Sequence, residues 1–294
     1  MKNNISRKDF IKYLSIITGT AIIPGCSFPK NILSTNQMKL GLVTYLWGKE
    51  WDIPTLIQNC TTAGILGVEL RIDHAHGVNI DMTALERAFV KKQFAESKVE
   101  VLGMGTNQQF DYPDQSELRK SIEVAKEYVK LSHDIGGSGV KVKPNKLHKE
   151  IPKEKTLEQI GKSLNELAKY AEDFGQQIRL EVHGRETQEL PNIKTIMDYA
   201  ENPNATVCWN SNAEDLIGNG LEYNFDLVKN RLGDTVHVRE FNVGNYPYQQ
   251  LINQLQEINY NGWILLECRT NPEDKVKALI EQRFLWEEMI TKNN

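Results

Sequence analysis

Short apolar runs rich in β-branched residues alternate with longer amphipathic stretches from Lys39 onward. This alternation is typical of βα units that build a parallel sheet. The apolar runs cover residues 39–47, 67–71, 99–106, 139–144, 178–184, 206–210, 235–242 and 263–269. Because eight such strands close a barrel, we predict an α/β fold, a single-domain (β/α)8 TIM barrel, over residues 39–294.

The stretches between these runs have helical periodicity. Before the stop signal at Gly175, apolar residues recur at spacings of three and four: Leu157, Ile160, Leu164, Leu167, Ala168 and Ala171. The competing architecture is a doubly wound open sheet, which usually carries a glycine-rich phosphate loop after its first strand. Here the first predicted strand is followed by Gly48 without a G-x-G-x-x-G pattern, which favours the barrel.

The N-terminal segment has the pattern of an export signal. Residues 1–12 are basic and polar, and residues 14–25 form an apolar run that is too short to span a bilayer. Residues 6–12 resemble a twin-arginine motif in which Lys8 replaces the second arginine. We therefore predict a signal peptide over residues 1–25.

Residues 23–26 resemble a lipobox, in which Cys26 would be lipidated and become the mature N-terminus. The prediction is a lipidated tether over residues 26–38 and an exported, periplasmic protein that is anchored to the membrane through lipid alone. A buried amphipathic first helix is the alternative, but residues 14–25 are apolar on all sides.

The composition excludes several classes of protein. With 40% hydrophobic and 25% charged residues, the chain is an ordinary globular protein that can bury a large core. The net charge of -4 and the scattered basic residues argue against nucleic acid as a partner. Cys60, Cys208 and Cys268 have no metal-ligand spacing and are expected to be small buried hydrophobes. The expected partner is a small molecule, and homo-oligomer formation stays open.

Polar residues accumulate at the predicted C-terminal ends of the strands, where an α/β barrel builds its active site. Since side chains two residues apart share a face of a strand, Glu181 points the same way as His183, and Glu267 the same way as Arg269. That shared face is the barrel interior or its rim. A carboxylate there is costly unless it is paired or binds a metal, so Glu181 and Glu267 are the leading candidates.

The segments LEVHG, CWN, VHVRE and LLECR on the last four predicted strands resemble the sugar phosphate isomerase/epimerase family, which has the xylose-isomerase-like barrel and includes tagatose 3-epimerase. The resemblance covers roughly residues 39–290. It implies that one divalent ion (Mn, Mg, Co or Zn) is bound by Glu181, Asn210, His237 and Glu267.

Asn210 departs from the family pattern, in which an Asp occupies this position. An amide oxygen can bind a hard cation, but the site has one negative charge less, so the metal affinity should fall. A hydrogen-bonded polar network without metal is the alternative for these four residues.

The resemblance also implies a mechanism. Glu181 and Glu267 would be the catalytic acid/base pair, one removing a proton next to a carbonyl and the other returning it to the opposite face, with the metal stabilising the enediolate. The candidates for substrate binding are His183, Arg239, Lys143, Glu69, Arg71 and His74. A pair between Glu69 and Arg71, and a solvated or loop-packing role for His74 and His76, are the alternatives.

Predicted export changes the expected substrate, because phosphorylated sugars are cytoplasmic and no helix-start glycine loop suits a phosphate. We expect a metal-dependent isomerase or epimerase of an unphosphorylated sugar or keto-sugar. A keto-glycoside lyase or hydrolase that acts by β-elimination, and a catalytically inactive sugar-binding lipoprotein, are the alternatives. An apurinic-site endonuclease shares the barrel but needs more His and Asp ligands and a basic groove.

The lipid anchor is testable at a single atom. Replacing Cys26 by Ser should abolish incorporation of a labelled fatty acid and release the protein from the membrane fraction, since no sulfur is left to modify. Ser27→Ala is the matched control and should leave both unchanged. Fatty-acid labelling that persists in the Cys26→Ser protein would contradict the anchor.

Overall fold

Eight parallel strands form the centre of the molecule in the computed structural model, which describes residues 38–292. They are β1 (Lys39–Val43), β2 (Gly67–Arg71), β3 (Glu100–Gln109), β4 (Gly139–Lys143), β5 (Gln177–Glu181), β6 (Ala205–Cys208), β7 (Thr235–Val238) and β8 (Trp263–Leu266). The strands are ordered β6-β5-β4-β3-β2-β1-β8-β7, so that β1 pairs with β8 in parallel. The prediction of an α/β TIM barrel is confirmed.

The two ends of this strand order, β6 and β7, meet just beyond the end of β6. His237 N donates to Trp209 O at 2.7 Å, and Ser211 N donates to His237 O at 3.3 Å. Asn210 and His237 form a parallel bridge between them. The barrel therefore closes at Asn210 and His237, which are two of the predicted metal ligands.

Helices follow the strands and cover the outside of the barrel. They are α1 (Ile53–Ala63), α2 (Ala84–Ala95), α3 (Gln115–Ile135), α4 (Lys153–Glu172), α5 (Leu190–Tyr199), α6 (Gly220–Asp226), α7 (Tyr248–Glu257) and α8 (Lys275–Thr291). The periodicity before Gly175 predicts α4 correctly, and the six apolar residues that define this periodicity are all buried. Two short 3-10 turns, Ala213–Leu216 and Lys229–Arg231, flank α6.

The main hydrophobic core lies between the strands and the helices. Alternate strand residues such as Val140, Ile178 and Ile264 point outward and are fully buried beneath the helices. A smaller cluster, formed by Val43, Leu102, Trp263 and Leu265, is separate from the main core. The large buried apolar area between the two layers stabilises the barrel as a rigid frame for its loops.

The N-terminal side of the barrel is held by a buried arginine. Arg179 on β5 donates from Nη1 to Leu102 O at 3.0 Å and from Nη2 to Ser138 Oγ at 2.6 Å, and its Nη2 lies 3.5 Å from Asp234 Oδ2. The positive charge of Arg179 is thereby satisfied by groups near the N-terminal ends of the strands. Chemistry is thereby left to the opposite, C-terminal side.

Several strands end earlier than their apolar patterns predict. The strands β5, β7 and β8 stop at Glu181, Val238 and Leu266, so the polar residues that follow lie in loops at the rim. The reason is that backbone N–H groups in these loops form hydrogen bonds with side chains instead of with the backbone of a neighbouring strand. Glu240, for example, accepts hydrogen bonds from Arg269 N at 3.0 Å and Thr270 N at 2.7 Å.

The predicted signal peptide at residues 1–25, Cys26 and the tether up to residue 37 lie outside the described residues. Met38 is described and is buried in the main core. Among residues 38–292, no helix is long and apolar enough to cross a membrane.

The cysteines Cys60, Cys208 and Cys268 are buried free thiols, as expected. Burial raises the pKa of Cys60 to about 12, which keeps this thiol protonated and unreactive at neutral pH.

Candidate active site

Three buried side chains meet at the C-terminal end of the barrel. Glu181, His237 and Glu267 each offer one potential ligand atom, and these atoms lie within 4.8 Å of one another. Glu181 is the last residue of β5, His237 belongs to β7, and Glu267 directly follows β8. Parallel strands bring their ends to one face, and this explains how residues far apart in sequence form one cluster.

Asn210 joins this cluster from the end of β6. It is fully buried, and its Nδ2 donates to Glu181 Oε1 at 3.0 Å. Its Oδ1 is buried and accepts no hydrogen bond within residues 38–292. A buried polar atom without a partner costs about 1–3 kcal/mol, so this oxygen requires a partner that is not a side chain of the cluster.

His237 has an equivalent unsatisfied atom. Its Nδ1 is buried without a hydrogen-bond partner among the described residues and lies 3.7 Å from Glu181 Oε1. Its Nε2 lies 3.4 Å from Glu69 Oε2, so this carboxylate can hold a proton on Nε2, and Nδ1 would offer a lone pair to a cation once it has lost its own proton. A carboxylate behind a ligating histidine is a common way to fix the tautomer that binds metal.

These four residues fit a divalent cation. Two carboxylates, an imidazole nitrogen and an amide oxygen form a donor set that suits Mn, Mg, Co or Zn to different degrees. The unsatisfied Asn210 Oδ1 and His237 Nδ1 are the atoms that a cation would satisfy. Glu181, Asn210, His237 and Glu267 are therefore brought together as the sequence predicts.

Glu69 stands next to His237 instead of pairing with Arg71, and its contact with substrate stays a prediction. It contacts His237, and among residues 38–292 no ion pair joins it to Arg71, whose guanidinium instead donates to β3. A Cβ atom at Gly105 would lie 2.6 Å from Glu69 Oε1, so a glycine on β3 leaves room for this carboxylate. Glu69 is placed to orient His237.

Lys141 is the residue whose role sequence reasoning missed. Its Nζ donates to Glu181 Oε2 at 2.7 Å, and the two side chains are 0% and 1% exposed. The only sequence signal is that Lys141 shares a face of β4 with Lys143, two residues away. Its pairing with Glu181 depends on how β4 and β5 are staggered in the barrel, which a single strand does not reveal.

The charges of the cluster are fixed by these contacts. Burial disfavours the ionised form of Glu181, but Lys141 and His237 outweigh it and hold the pKa of Glu181 well below its usual range. The same balance of burial against His237 and Lys141 lowers the pKa of Glu69. Both carboxylates are thus ionised at neutral pH.

Glu267 is held much more loosely than Glu181. Its side chain accepts no hydrogen bond from another residue within 38–292, and Arg269 Nη2 lies 4.0 Å from its Oε2. It is 7% exposed, at the open side of the cluster. The two glutamates therefore differ in how their oxygens are engaged, and Glu267 offers the more available proton acceptor.

The predicted substrate-binding residues lie around this cluster. Arg239 is anchored by its Nη2, which donates to Asn212 Oδ1 at 3.1 Å. The Nδ1 atoms of His183 and His74 are buried without hydrogen-bond partners among the described residues. His76 instead packs its loop, since its Nε2 lies 2.8 Å from Arg71 O and its Nδ1 accepts from Val78 N.

Two further predicted contacts, Arg71 and Lys143, flank Asn107 on β3. Arg71 Nη2 and Lys143 Nζ each donate to Asn107 Oδ1 at 3.0 Å. Burial, followed by repulsion from Lys141, lowers the pKa of Lys143 to about 8.

Removing the lysine from the buried Lys141–Glu181 pair should destabilise the metal-free protein. We expect Lys141→Met to lower the free energy of unfolding by about 3–5 kcal/mol, because a buried carboxylate is left without its cation. Urea unfolding in the presence of EDTA measures this. Lys162→Met, which removes an equally short but exposed pair with Glu158, should change it by less than about 1 kcal/mol. A loss at Lys141 no larger than that at Lys162 would contradict the role assigned to the pair.

Solved structures with the same fold include several sugar epimerases. L-ribulose 3-epimerase is 15% identical, with 86% of this chain and 95% of that chain covered and a TM-score of 0.74. For the 3-keto-D-glucoside 4-epimerase of E. coli the identity is 15%, the coverage 86% and 100%, and the TM-score 0.73. The IOLI protein with a bound zinc atom is 17% identical, with 87% and 99% covered and a TM-score of 0.73.

At these identities the likeness establishes the fold. Among curated protein sequences, none matches this chain significantly. The sequence profile of the xylose isomerase-like TIM barrel matches residues 57–286, and this chain belongs to that family.

Proposed function

We propose that this protein is a metal-dependent sugar isomerase or epimerase that removes a proton next to a carbonyl of an unphosphorylated sugar or keto-sugar. The observation that carries the proposal is the convergence of Glu181, His237 and Glu267 within 4.8 Å at the C-terminal end of the barrel. The epimerases that share the fold support the reaction class.

The ion would be held by Glu181, Asn210, His237 and Glu267. A bound divalent cation would polarise the oxygens of the substrate and stabilise the negative charge that develops when the proton leaves. Support comes from the two buried atoms that lack partners, Asn210 Oδ1 and His237 Nδ1. The zinc atom bound by the IOLI protein, which has the same fold, also supports it.

Glu267 is assigned the first proton transfer. Its carboxylate oxygens are free of hydrogen bonds from other residues in the described part of the chain, so a lone pair is available to the substrate C–H. Both oxygens of Glu181, by contrast, already accept hydrogen bonds from Lys141 and Asn210. In epimerisation Glu181 returns the proton, which Lys141 can supply across the 2.7 Å hydrogen bond.

Substrate orientation falls to polar groups with unused hydrogen-bonding capacity. The His183 ring and the Arg239 guanidinium each have a buried nitrogen without a partner among residues 38–292. Sugar hydroxyls both donate and accept, so they can satisfy either group. Because Asn212 anchors Arg239 and is itself held by Val182 O and Asn210 O, the guanidinium is fixed before the sugar binds.

The site is also proposed to work outside the cytoplasm. The segments at residues 1–25 and 26–38 support export and a lipid anchor, and residues 39–294 form the catalytic domain. A lipid anchor would keep that domain at a membrane surface. Outside the cytoplasm, the expected substrates are unphosphorylated.

Proton exchange at a sugar carbon tests the function directly. In D2O, the wild-type protein should incorporate deuterium into at least one of a panel of keto-sugars, followed by NMR. Glu267→Gln should slow the exchange by at least about 100-fold, because the amide cannot accept the proton. Glu186→Gln, at an exposed glutamate in the loop after β5, is the matched control and should keep the wild-type rate.

The products of the same experiment separate the reaction classes. Exchange with an epimerised or isomerised product supports the proposal. Exchange with loss of the aglycone from a keto-glycoside would assign β-elimination to the same site instead. Absence of exchange on every sugar would leave only a binding function.

Metal binding is tested independently of turnover. Elemental analysis and calorimetric titration with Mn2+ or Zn2+ should give about one ion per chain. His237→Ala should weaken binding by more than the roughly 10–100-fold that follows loss of an outer contact. His133→Ala, at an exposed histidine of α3, should bind as the wild type does. Unchanged affinity in His237→Ala would overturn the assigned centre.

A further inference from the structure

The rim of the site carries more positive charge than its carboxylates can neutralise. Lys141 faces Glu181, and Arg269 lies 4.0 Å from Glu267. By contrast, Arg71 and Lys143 have no carboxylate within 4.0 Å anywhere in residues 38–292. Arg71 is the last residue of β2 and Lys143 is the last residue of β4, and these two strands flank β3 in the sheet.

The two cations converge on a single neutral oxygen. Arg71 Nη2 and Lys143 Nζ each donate to Asn107 Oδ1 at 3.0 Å, so the two nitrogens are no farther apart than the sum of these distances. An amide oxygen carries only a partial charge and does not offset two full positive charges. Asn107 is exposed, so a ligand can reach this place from solvent.

Arg71 is fixed there with an unused donor. It is only 8% exposed, and its Nη1 donates to Gly105 O and Thr106 O at 3.2 Å each. Its Nε is buried and has no acceptor within the described chain. A rigid guanidinium with a free N–H is preorganised for an oxygen anion, which it binds with more than one hydrogen bond.

Lys143 has the properties of an ammonium group that lacks a counter-charge. Burial and the nearby Lys141 and Arg71 all act against its charged form. Lys143 shares a face of β4 with Lys141, whose Nζ donates to Glu181 Oε2 at 2.7 Å, so Lys143 lies beside the proposed acid/base pair. An anionic group beside Lys143 would therefore lie on a molecule that also occupies the reaction site.

We propose that Arg71 and Lys143, arranged around Asn107, form a subsite for a negatively charged substituent, and that the substrate is a sugar acid carrying a carboxylate. The proposal rests on the proposed function for the sugar, but not on the reaction that the sugar undergoes. A planar carboxylate suits the Arg71 fork, and an unphosphorylated acid agrees with the predicted export.

The test is a comparison of matched ligands by calorimetry or saturation-transfer NMR. The wild-type protein, with and without Mn2+, is titrated with D-glucose and D-glucuronate, then with D-galactose and D-galacturonate. At least one uronate should bind about tenfold more tightly than its neutral partner. The preference should persist in EDTA, which excludes a carboxylate that merely binds the metal. Equal affinities in both pairs would overturn the proposal.

Variants of the lysine assign the preference to this subsite. Lys143→Gln should reduce the uronate preference, measured as the ratio of the two affinities in the same variant, to about twofold or less, and Lys143→Arg should retain the preference. Lys146→Gln, at an exposed lysine three positions further along, is the matched control and should bind as the wild type does. A preference that survives in Lys143→Gln would overturn the assignment.

Two further arms separate the possible failures. Glucose 6-phosphate carries the other common anion of sugars, and tighter binding of it than of glucuronate would overturn the carboxylate in favour of a phosphate. Binding and proton exchange are read independently. A uronate preference without exchange refutes the proposed function alone, whereas exchange on neutral keto-sugars without a uronate preference refutes the subsite alone.

Discussion

An ionised carboxylate inside a protein requires a compensating partner, and this constraint organises the C-terminal half of the barrel. Glu181 is 1% exposed, and it stays charged because Lys141 and Asn210 donate to its two oxygens. Taking a carboxylate out of water costs several kcal/mol unless such contacts compensate. Glu181 thus fixes the positions of Lys141 and Asn210. It also lies next to His237, which in turn contacts Glu69.

The buried arginine on the N-terminal side of the barrel is fully compensated, whereas several polar groups on the C-terminal side are not. On the N-terminal side, Arg179 has partners for its nitrogens and its charge faces Asp234. On the C-terminal side, Asn210 Oδ1, His237 Nδ1 and Arg71 Nε lack partners among residues 38–292. Unsatisfied buried groups cost stability, and most of those in the described residues lie at the C-terminal ends of the strands or in the loops after them, as expected of a site that binds something else.

The two glutamates are similar in sequence context and different in environment. Both follow apolar strand residues, yet Glu181 is locked by hydrogen bonds and Glu267 is not. In the proposed reaction, a symmetric pair would exchange protons equally well with either face of a sugar, whereas this pair would combine a free carboxylate with one that is linked to a lysine. In the proposed subsite, the positive charges of Arg71 and Lys143 would orient the substrate by attracting its anionic end.

The pattern of apolar runs alone determined the barrel, because a period of two residues in the strands and of three to four in the helices is a local property of the chain. It also indicated that Glu181 and Glu267 would face the barrel interior at the same end, whereas His237 and Asn210 were added to them by the resemblance to the epimerase family. The lengths of β5, β7 and β8 were not determined, because strand ends depend on loop contacts such as those of Glu240. Only the tertiary structure decided which charges pair. Three sets of contacts join different strands: Lys141 with Glu181, Glu69 with His237, and both Arg71 and Lys143 with Asn107. These contacts are set by the stagger and closure of the barrel and not by any spacing along the sequence.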